Sequence, residues 1–372
     1  MDHVDYNTLD QAKNAFIEAG KKTVNFAKKF GFIPPSGFGA SANVFNLDLK
    51  PFLKSGAEVL YITLLPEGLG TSDDARPEDL SERDLERFWH NIGLKTVAVM
   101  TNDAAATGMQ TVLISLYLPS STPELVFNST FMKGFLEGFV KGCKIVGCIY
   151  FSGETPQLKT KFYPGKLDIA GALLGLMPAG LKPIDGQELA EGDKIVFIQS
   201  SGPHDNGFTS LRELADRLPK GYHTKLPSGR EYWDAINTPT ILYTPFIQSL
   251  LKTGLRPSNI EPITGHGWQK LMRSRKPFRY VIHDVLPVPE VFEFVQEHSH
   301  ASREEMIKIF NYGVGLAVMI KGEKEAEQVV EIAAQHHLKA KVVGTVEKAK
   351  ARKVVVEQWK IKLSGSAFDL YQ

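Results

Sequence analysis

Cysteine is almost absent: Cys143 and Cys148 are the only two in 372 residues. Two thiols five positions apart give neither a disulfide framework nor the usual spacing of a zinc pair, and they read as free thiols in a reducing compartment. No apolar run is long enough to cross a bilayer. The most apolar stretch, 169–181, is too short and contains Pro178, so it reads as a core strand with its turn. The first residues, Met-Asp-His-Val-Asp-Tyr, are acidic and lack the apolar segment of a secretory leader. A cytoplasmic protein without a membrane partner is the expectation, and the sequon at Asn128 carries no weight. Neither sign of charge is in excess. Lys and Arg total 43 against 42 Asp and Glu, a net charge of +1, so no global field points to nucleic acid or to anionic lipid. There is no Gly-x4-Gly-Lys-Ser/Thr loop, no nucleophile elbow and no His-Glu-x-x-His. Residues 37–42 loosely match a dinucleotide fingerprint, but no strand precedes them and no β-α-β unit surrounds them, which excludes that reading.

What is present is an ordinary globular balance, 43% hydrophobic and 23% charged, in a chain long enough for two domains. Apolar positions between lysines predict an amphipathic helix over 8–30, ended by Gly31. Strands are expected at 58–65, 96–101, 111–118 and 145–151, with a helix at 131–142 and a solvated loop and helix over 71–87. The stretch 178–192, with Pro183, Gly186 and Gly192, reads as a domain boundary. Beyond it the pattern predicts strands at 194–199, 279–283, 314–320, 340–344 and 353–358. Helices are expected at 208–218, 245–253, 289–298, 302–309 and 323–336, with a tail from Ser364. Alternating strands and helices indicate an α/β (α+β) class.

The densest chemistry lies in residues 200–207, Ser-Ser-Gly-Pro-His-Asp-Asn-Gly. They follow the apolar run 194–199 and precede Leu211, Leu214, Ala215 and Leu218, spaced as on one helix face. Such a strand–loop–helix brings backbone amides to an anion. His204 and Asn206 add side chains suited to proton or phosphate chemistry. The same residues also suit a plain connection with turn residues and a cap. Lys270, Arg273, Arg275, Lys276 and Arg279 lie near Trp268, Phe278 and Tyr280. Cations among aromatics are a pattern of single-strand binders, but the neutral balance favours a solvated loop and no nucleic-acid partner.

Further motifs stand in a recognisable order: Ile-Thr-Gly-His-Gly-Trp at 263–268, Pro-Val-Pro-Glu-Val-Phe at 287–292, Glu-Glu-Met-Ile-Lys-Ile-Phe-Asn-Tyr-Gly-Val-Gly at 304–315, and Thr-Pro-Thr-Ile-Leu-Tyr at 238–243. With the 200–207 loop they resemble the C-terminal half of the aminoimidazole ribonucleotide synthetase (phosphoribosylformylglycinamidine cyclo-ligase) family. The N-terminal half resembles it more loosely, through 37–40, Glu-Gly-Leu-Gly-Thr-Ser at 67–72, Asn91-Ile92-Gly93, Asn102-Asp103, Gly153-Glu154-Thr155 and Asp168-Ile169-Ala170-Gly171. The resemblance implies a two-domain fold. Residues 1–178 would bind ATP and metal and pair with a second copy, their strands closing a barrel across a homodimer. Residues 179–372 would carry the loops for a small nucleotide substrate. It further implies ATP and Mg2+ as cofactors and ring closure in purine biosynthesis as the reaction.

Carried over position by position, the resemblance makes Glu67 and Asp103 metal ligands. Gly37, Gly39, Gly68, Gly70, Thr71, Lys95 and Glu154 become nucleotide contacts, and Ser201, Gly202, Thr264 and Gly265 substrate contacts. His204, Asn206 and Asp103 become catalytic groups. Asp103 also suits a helix cap after Asn102. Two positions depart from the family pattern. Ser72 stands where a lysine is usual, and Lys95 stands where an aspartate helps bind metal. His266 replaces a glycine and otherwise reads as a surface histidine beside a turn. The alternatives are another ATP-dependent phosphoryl transferase of the superfamily, of thiamine-monophosphate or selenophosphate type, or a non-catalytic nucleotide-binding paralogue.

Overall fold

In the computed structural model, which describes residues 6–33, 45–56, 58–274 and 276–364, the chain divides into two compact units. The first comprises the residues up to Ala104 together with Met109–Lys182. The second comprises Ala105–Gly108 and everything from Pro183.

In the first unit α1 (Tyr6–Thr23), β1 (Phe32–Ile33), β2 (Asn46–Leu47) and α2 (Lys50–Lys54) lead into a four-stranded sheet. Its strands are β3 (Ile62–Gly68), β4 (Gln110–Tyr117), β5 (Ile149–Glu154) and β6 (Ala170–Leu176), ordered β3-β6-β4-β5. Only the β4–β5 pair is parallel. Pro66 is tolerated because β3 is an edge strand. Between the strands run α3 (Glu82–Ala106), α4 (Pro123–Phe127) and α5 (Ser129–Val146). Ser81 opens α3 by accepting the Asp84 amide at 3.1 Å. The sequon residue Asn128 caps α5, accepting the amides of Thr130 and Phe131.

Three glycines let α3 and α5 touch backbone to backbone, and a fourth lets a side chain fit between them. A Cβ at Gly138 would overlap the His90 carbonyl, 2.8 Å from its carbon, and one at Gly93 would lie 2.6 Å from the Phe139 amide nitrogen. Gly134 faces the Glu86 carbonyl in the same way, and Gly142 meets the Val97 side chain. Phe131, Phe135 and Phe139, one turn apart, stack along α5 and are fully buried.

Several sequence expectations are corrected here. The helix predicted over 8–30 stops at Thr23, and Gly31 (φ 86°) ends a separate short turn of 3-10 helix. Residues 96–101, expected as a strand, lie within α3. Their β-branched residues are accommodated because Thr96 and Thr101 return hydroxyl hydrogen bonds to the carbonyls of Ile92 and Val97, 2.8 Å each. Asp103 therefore sits inside a helix rather than capping one. The strand expected at 58–65 is displaced to Ile62–Gly68, and 145–146 belong to α5 rather than to β5.

The second unit is a seven-stranded sheet ordered β13-β12-β9-β11-β7-β10-β8. Its strands are β7 (Lys194–Gln199), β8 (Asn259–Pro262), β9 (Phe278–Ile282), β10 (Val314–Ile320), β11 (Ala340–Lys348), β12 (Lys353–Val356) and β13 (Ile361–Ser364). All pairs are antiparallel except β9–β12. The helices are α6 (Phe208–Ala215), α7 (Tyr232–Ile236), α8 (Thr244–Lys252), α9 (Glu290–Ser299), α10 (Arg303–Ile309) and α11 (Glu323–Gln335). Every residue of β10 is buried, which is why it reads as one apolar run rather than an alternation. Strands β8 and β13 and helix α7 had no sequence expectation. The aromatics of the basic cluster are core residues: Trp268 and Tyr280 are buried, and so is Lys270. They cannot stack on bases, and Lys270 is not part of a solvated loop.

Candidate functional site

The candidate residues fall into two clusters, one in each unit. In the second unit, the 200–207 loop leaves β7 through Ser200, whose amide donates to Gly313 O at 2.9 Å. Two consecutive non-glycine residues, His204 and Asp205, adopt φ 53° and 56°, followed by Gly207 at 74°. Strained backbone of this kind persists only where neighbours hold it, and the neighbours are identifiable. The Ser201 amide donates to His204 Nε2 at 3.1 Å. The Ser201 hydroxyl donates to Pro239 O at 2.6 Å, and Thr240 donates to Asp205 at 2.7 Å. Asn311, fully buried, donates to Gly202 O at 2.7 Å. Asn206 donates to Ile309 O at 2.5 Å, and its Oδ1 lies 3.6 Å from where Gly265 would carry a Cβ. Thr264 and Gly265 are thereby brought beside the loop, and Lys270 Nζ donates to Thr264 Oγ1 at 2.5 Å. His266 is exposed, at φ 68°.

His204 is only 4% exposed. Because a backbone N–H can only donate, Nε2 uses its lone pair inside the loop and its ring serves as a brace. Gly315 is required beneath it, since a Cβ there would lie 2.6 Å from His204 Cε1 and closer still to the Tyr243 hydroxyl. Tyr243 itself is buried and donates to Gln199 O at 2.5 Å. A histidine in a plain turn would lie near the surface and its loss would leave the fold intact; the burial of His204 excludes that. His204→Ala is expected to cost about 1–3 kcal/mol of stability through orphaned polar groups, whereas Asn206→Ala, on a half-exposed residue, should cost less than about 1 kcal/mol. Urea unfolding of both variants checks this, and equal losses would contradict it. Lys270 and Tyr243 were missed as supports. Lys270 was hidden in a cluster read as solvated, although Tyr243 ended one of the motifs noted.

In the first unit, strand register sorts the candidates by face. Glu67 pairs with Gly171, and paired residues project to one side. A Cβ at Gly171 would meet Met100 of α3 at 2.9 Å, so Glu67 points to the helix side, and Asp103 follows Met100 by three residues, roughly one turn. Gly68, Ala170, Tyr117 and Glu154 form one row across all four strands. Glu154 is exposed at the far end of that row, about 14 Å from Gly68 at ordinary strand spacing. Gly70 (φ 73°) makes the turn after β3, and Thr71 lies exposed beyond it. Ser72 is fully buried, and its hydroxyl has no hydrogen-bond partner. Gly37 and Gly39 lie outside the described residues.

Lys95 is 1% exposed on α3. It precedes Asp103 by eight residues, about 12 Å along the axis, so the two attend different points along the helix. Asp73, 5% exposed, has its pKa raised to about 7. Burial is the main cause, repulsion from Asp74 and Asp168 adds to it, and Arg76 and a backbone hydrogen bond oppose it. Asp74 pairs with Lys166 at 2.7 Å. Among the described residues no group of three or more His, Cys, Asp or Glu side chains is placed to hold a metal. A resident metal cage does not fit. Magnesium carried on phosphates needs only one or two protein carboxylates, which Glu67 and Asp103 can provide.

Residues 79–177 match the N-terminal domain of AIR synthase related protein, and residues 279–357 match its C-terminal domain. The chain belongs to the AIR synthase related family. Phosphoribosylformylglycinamidine cyclo-ligase of Clostridium perfringens (strain 13 / Type A) is 27% identical over 343 residues, 89% of this chain and 94% of that protein. The trifunctional purine biosynthetic protein adenosine-3 of Bos taurus is 30% identical over 261 residues, 68% of this chain. The aligned part is only 25% of the bovine protein's length. Among solved structures, hydrogenase maturation protein HypE in complex with ATP superposes with TM-score 0.61 at 16% identity, covering 91% of each chain. Thiamine-monophosphate kinase from Stenotrophomonas maltophilia K279a superposes with TM-score 0.62 at 15% identity, covering 93% of this chain and 97% of that one. These two likenesses concern the fold alone, a mixed α/β, two-domain architecture. No helix among the described residues is long and apolar enough to cross a membrane.

Proposed function

We propose that the protein is an ATP-dependent cyclo-ligase that converts formylglycinamidine ribonucleotide to aminoimidazole ribonucleotide. The observation that carries this reading is the joining of two motif loops in the second unit, with Asn206 beside Gly265. Likeness to the cyclo-ligase over 89% of the chain supports it. In this reaction the γ-phosphoryl group of ATP passes to the formyl amide oxygen, an amidine nitrogen attacks that carbon, and phosphate leaves as the ring closes. The protein's task is positioning and charge neutralisation rather than covalent catalysis. The 200–207 amides, Ser201, Gly202, Thr264 and Gly265 hold the substrate, Asn206 orients it, and His204 braces the loop. Glu67 and Asp103 receive magnesium arriving with the nucleotide, while Gly68, Gly70, Thr71 and Glu154 line its path. That the similarly folded HypE was solved in complex with ATP supports this part of the reading. Release of ADP dependent on formylglycinamidine ribonucleotide tests the reading, and turnover of ATP without that substrate would reject it.

Lys95 and Ser72 favour a second reading, a nucleotide-binding relative that does not turn over. In the cyclo-ligase reading the Lys95 cation takes part in neutralising the triphosphate. A unit-charge pair at about 5 Å and an effective dielectric near 20 amounts to about 3 kcal/mol. Lys95→Ala should then weaken ATP binding by roughly 10–100-fold, and Lys95→Asp should make binding depend more steeply on magnesium. Calorimetric titration of ATP decides it: affinity unchanged by both substitutions would exclude a role for Lys95.

The homodimer belongs to the same proposal. The sheet face turned away from α3 is partly covered by Phe45, Leu47 and Phe52. Beyond them Ile62, Leu64 and Tyr117 remain 56%, 73% and 42% exposed. Pairing of two such faces would bury them. Light scattering should give twice the chain mass, and Leu64→Lys should give the single mass. A monomeric wild type at micromolar concentration would reject pairing.

A further inference from the structure

The two cysteines take no part in either cluster, yet the fold puts them together. Helix α5 ends with Gly147 in the left-handed region (φ 84°), and the amides of Gly147 and Cys148 both turn back to the Cys143 carbonyl, at 2.8 and 3.1 Å. This closure places the residue after the glycine against the residue that supplies the carbonyl. Cysteines five apart in sequence thus become neighbours because of how the helix stops. Both cysteines are free and fully buried. Gln110 Nε2 donates to Val146 O at 3.0 Å, and the Tyr150 amide donates to Thr23 Oγ1 at 2.9 Å, which hold the turn on either side of the pair.

We propose that Cys143 and Cys148 are a redox modification site, a thiol pair that closes to an intramolecular disulfide when a low-molecular-weight disulfide is supplied. One thiolate attacks a sulfur of the oxidant, forming a mixed disulfide and releasing one thiolate of the oxidant. The second cysteine thiolate attacks the protein sulfur of that mixed disulfide and displaces the other half. The two cysteines lose two electrons, the oxidant gains them, and both protons finish on the released thiols. The Cys148 amide bonded to the Cys143 carbonyl keeps the two backbones close, so a bond between the sulfurs calls on side-chain rotation within the turn. Burial sets the rate. Desolvation pushes the Cys143 thiol well above its ordinary pKa, so reaction waits on opening of the 146–148 turn and is slower than at an exposed cysteine. The product staples the end of α5 to the start of β5, the strand that carries Glu154 at its far end.

The test uses the full chain, reduced and desalted, incubated with oxidised glutathione, quenched in acid, unfolded and alkylated. The expected product has lost the mass of two hydrogens, accepts no alkylating reagent, and yields a peptide with Cys143 joined to Cys148. Cys143→Ser and Cys148→Ser should each abolish that mass loss. Two alkylated cysteines after full incubation, a glutathione adduct that persists on the wild type, or a disulfide between chains would each overturn the proposal. The decisive readout is on the wild type, so it stands even if a serine variant folds poorly.

Discussion

Gly138→Ala should unfold the first unit more readily than any other single-methyl substitution tested in it. The added carbon would overlap the His90 carbonyl, and a backbone group in the middle of a 25-residue helix cannot rotate away. The two helices must separate instead, loosening the neighbouring contacts of Gly93, Gly134 and Gly142. Overpacking of a core ordinarily costs about 1–3 kcal/mol. Here the obstruction is main chain rather than side chain, so a loss of at least about 3 kcal/mol is expected, in the range reserved for named mechanisms of severe damage. Gly165→Ala is the control. Its φ is 76° and nothing lies within 4 Å of the added carbon, so only backbone strain of about 1–2 kcal/mol applies. Urea unfolding followed in the first unit compares the two, and equal shifts of the midpoint would refute the close-packing argument. Because α3 also carries Lys95 and Asp103, the same variant should lose nucleotide binding while the second unit keeps its own transition.

Asp73 gives the second large effect, in the dependence of stability on pH. Its folded pKa, about 7, lies above the ordinary value of 3.8. Between those values the folded protein holds a proton that the unfolded chain has released. Stability from this group is therefore complete below pH 3.8, falls as pH rises, and is gone above 7. From pH 5 to pH 8 the loss is about 3 kcal/mol. Burial sets the sign, Asp74 and Asp168 reinforce it, and a backbone hydrogen bond and Arg76 oppose it. Asp73→Asn removes the titration. The variant should gain on the wild type by about 3 kcal/mol between pH 5 and 8, measured as the difference in unfolding free energy at the two pH values. A difference that stays flat across that interval would show Asp73 to be ionised throughout.

The elements read correctly from sequence share a feature: their neighbours impose the same preference as their own residues. Strand β10 is apolar throughout because it is buried on both faces, and α10 is held at its start by Ser302 and Glu305, which form a reciprocal cap. The misreadings have the opposite cause. Thr96–Thr101 is β-branched and apolar, a local strand signal, but it lies in a helix buried against α5, and burial makes any such segment apolar whatever its conformation.

The sequence by itself determined the family, the order of the motifs, the two-domain plan and the departures at Ser72 and Lys95, since these depend only on which residue types follow one another. Tertiary structure decided what those residues can do. It turned His204 inward as a brace, put Lys270 under Thr264, buried Asp73 beside two other carboxylates, and set Glu67 and Glu154 in register rows of opposite facing. Each outcome depends on desolvation or on strand register. Both are fixed by residues distant in the chain, so no local pattern of amino acids could express them.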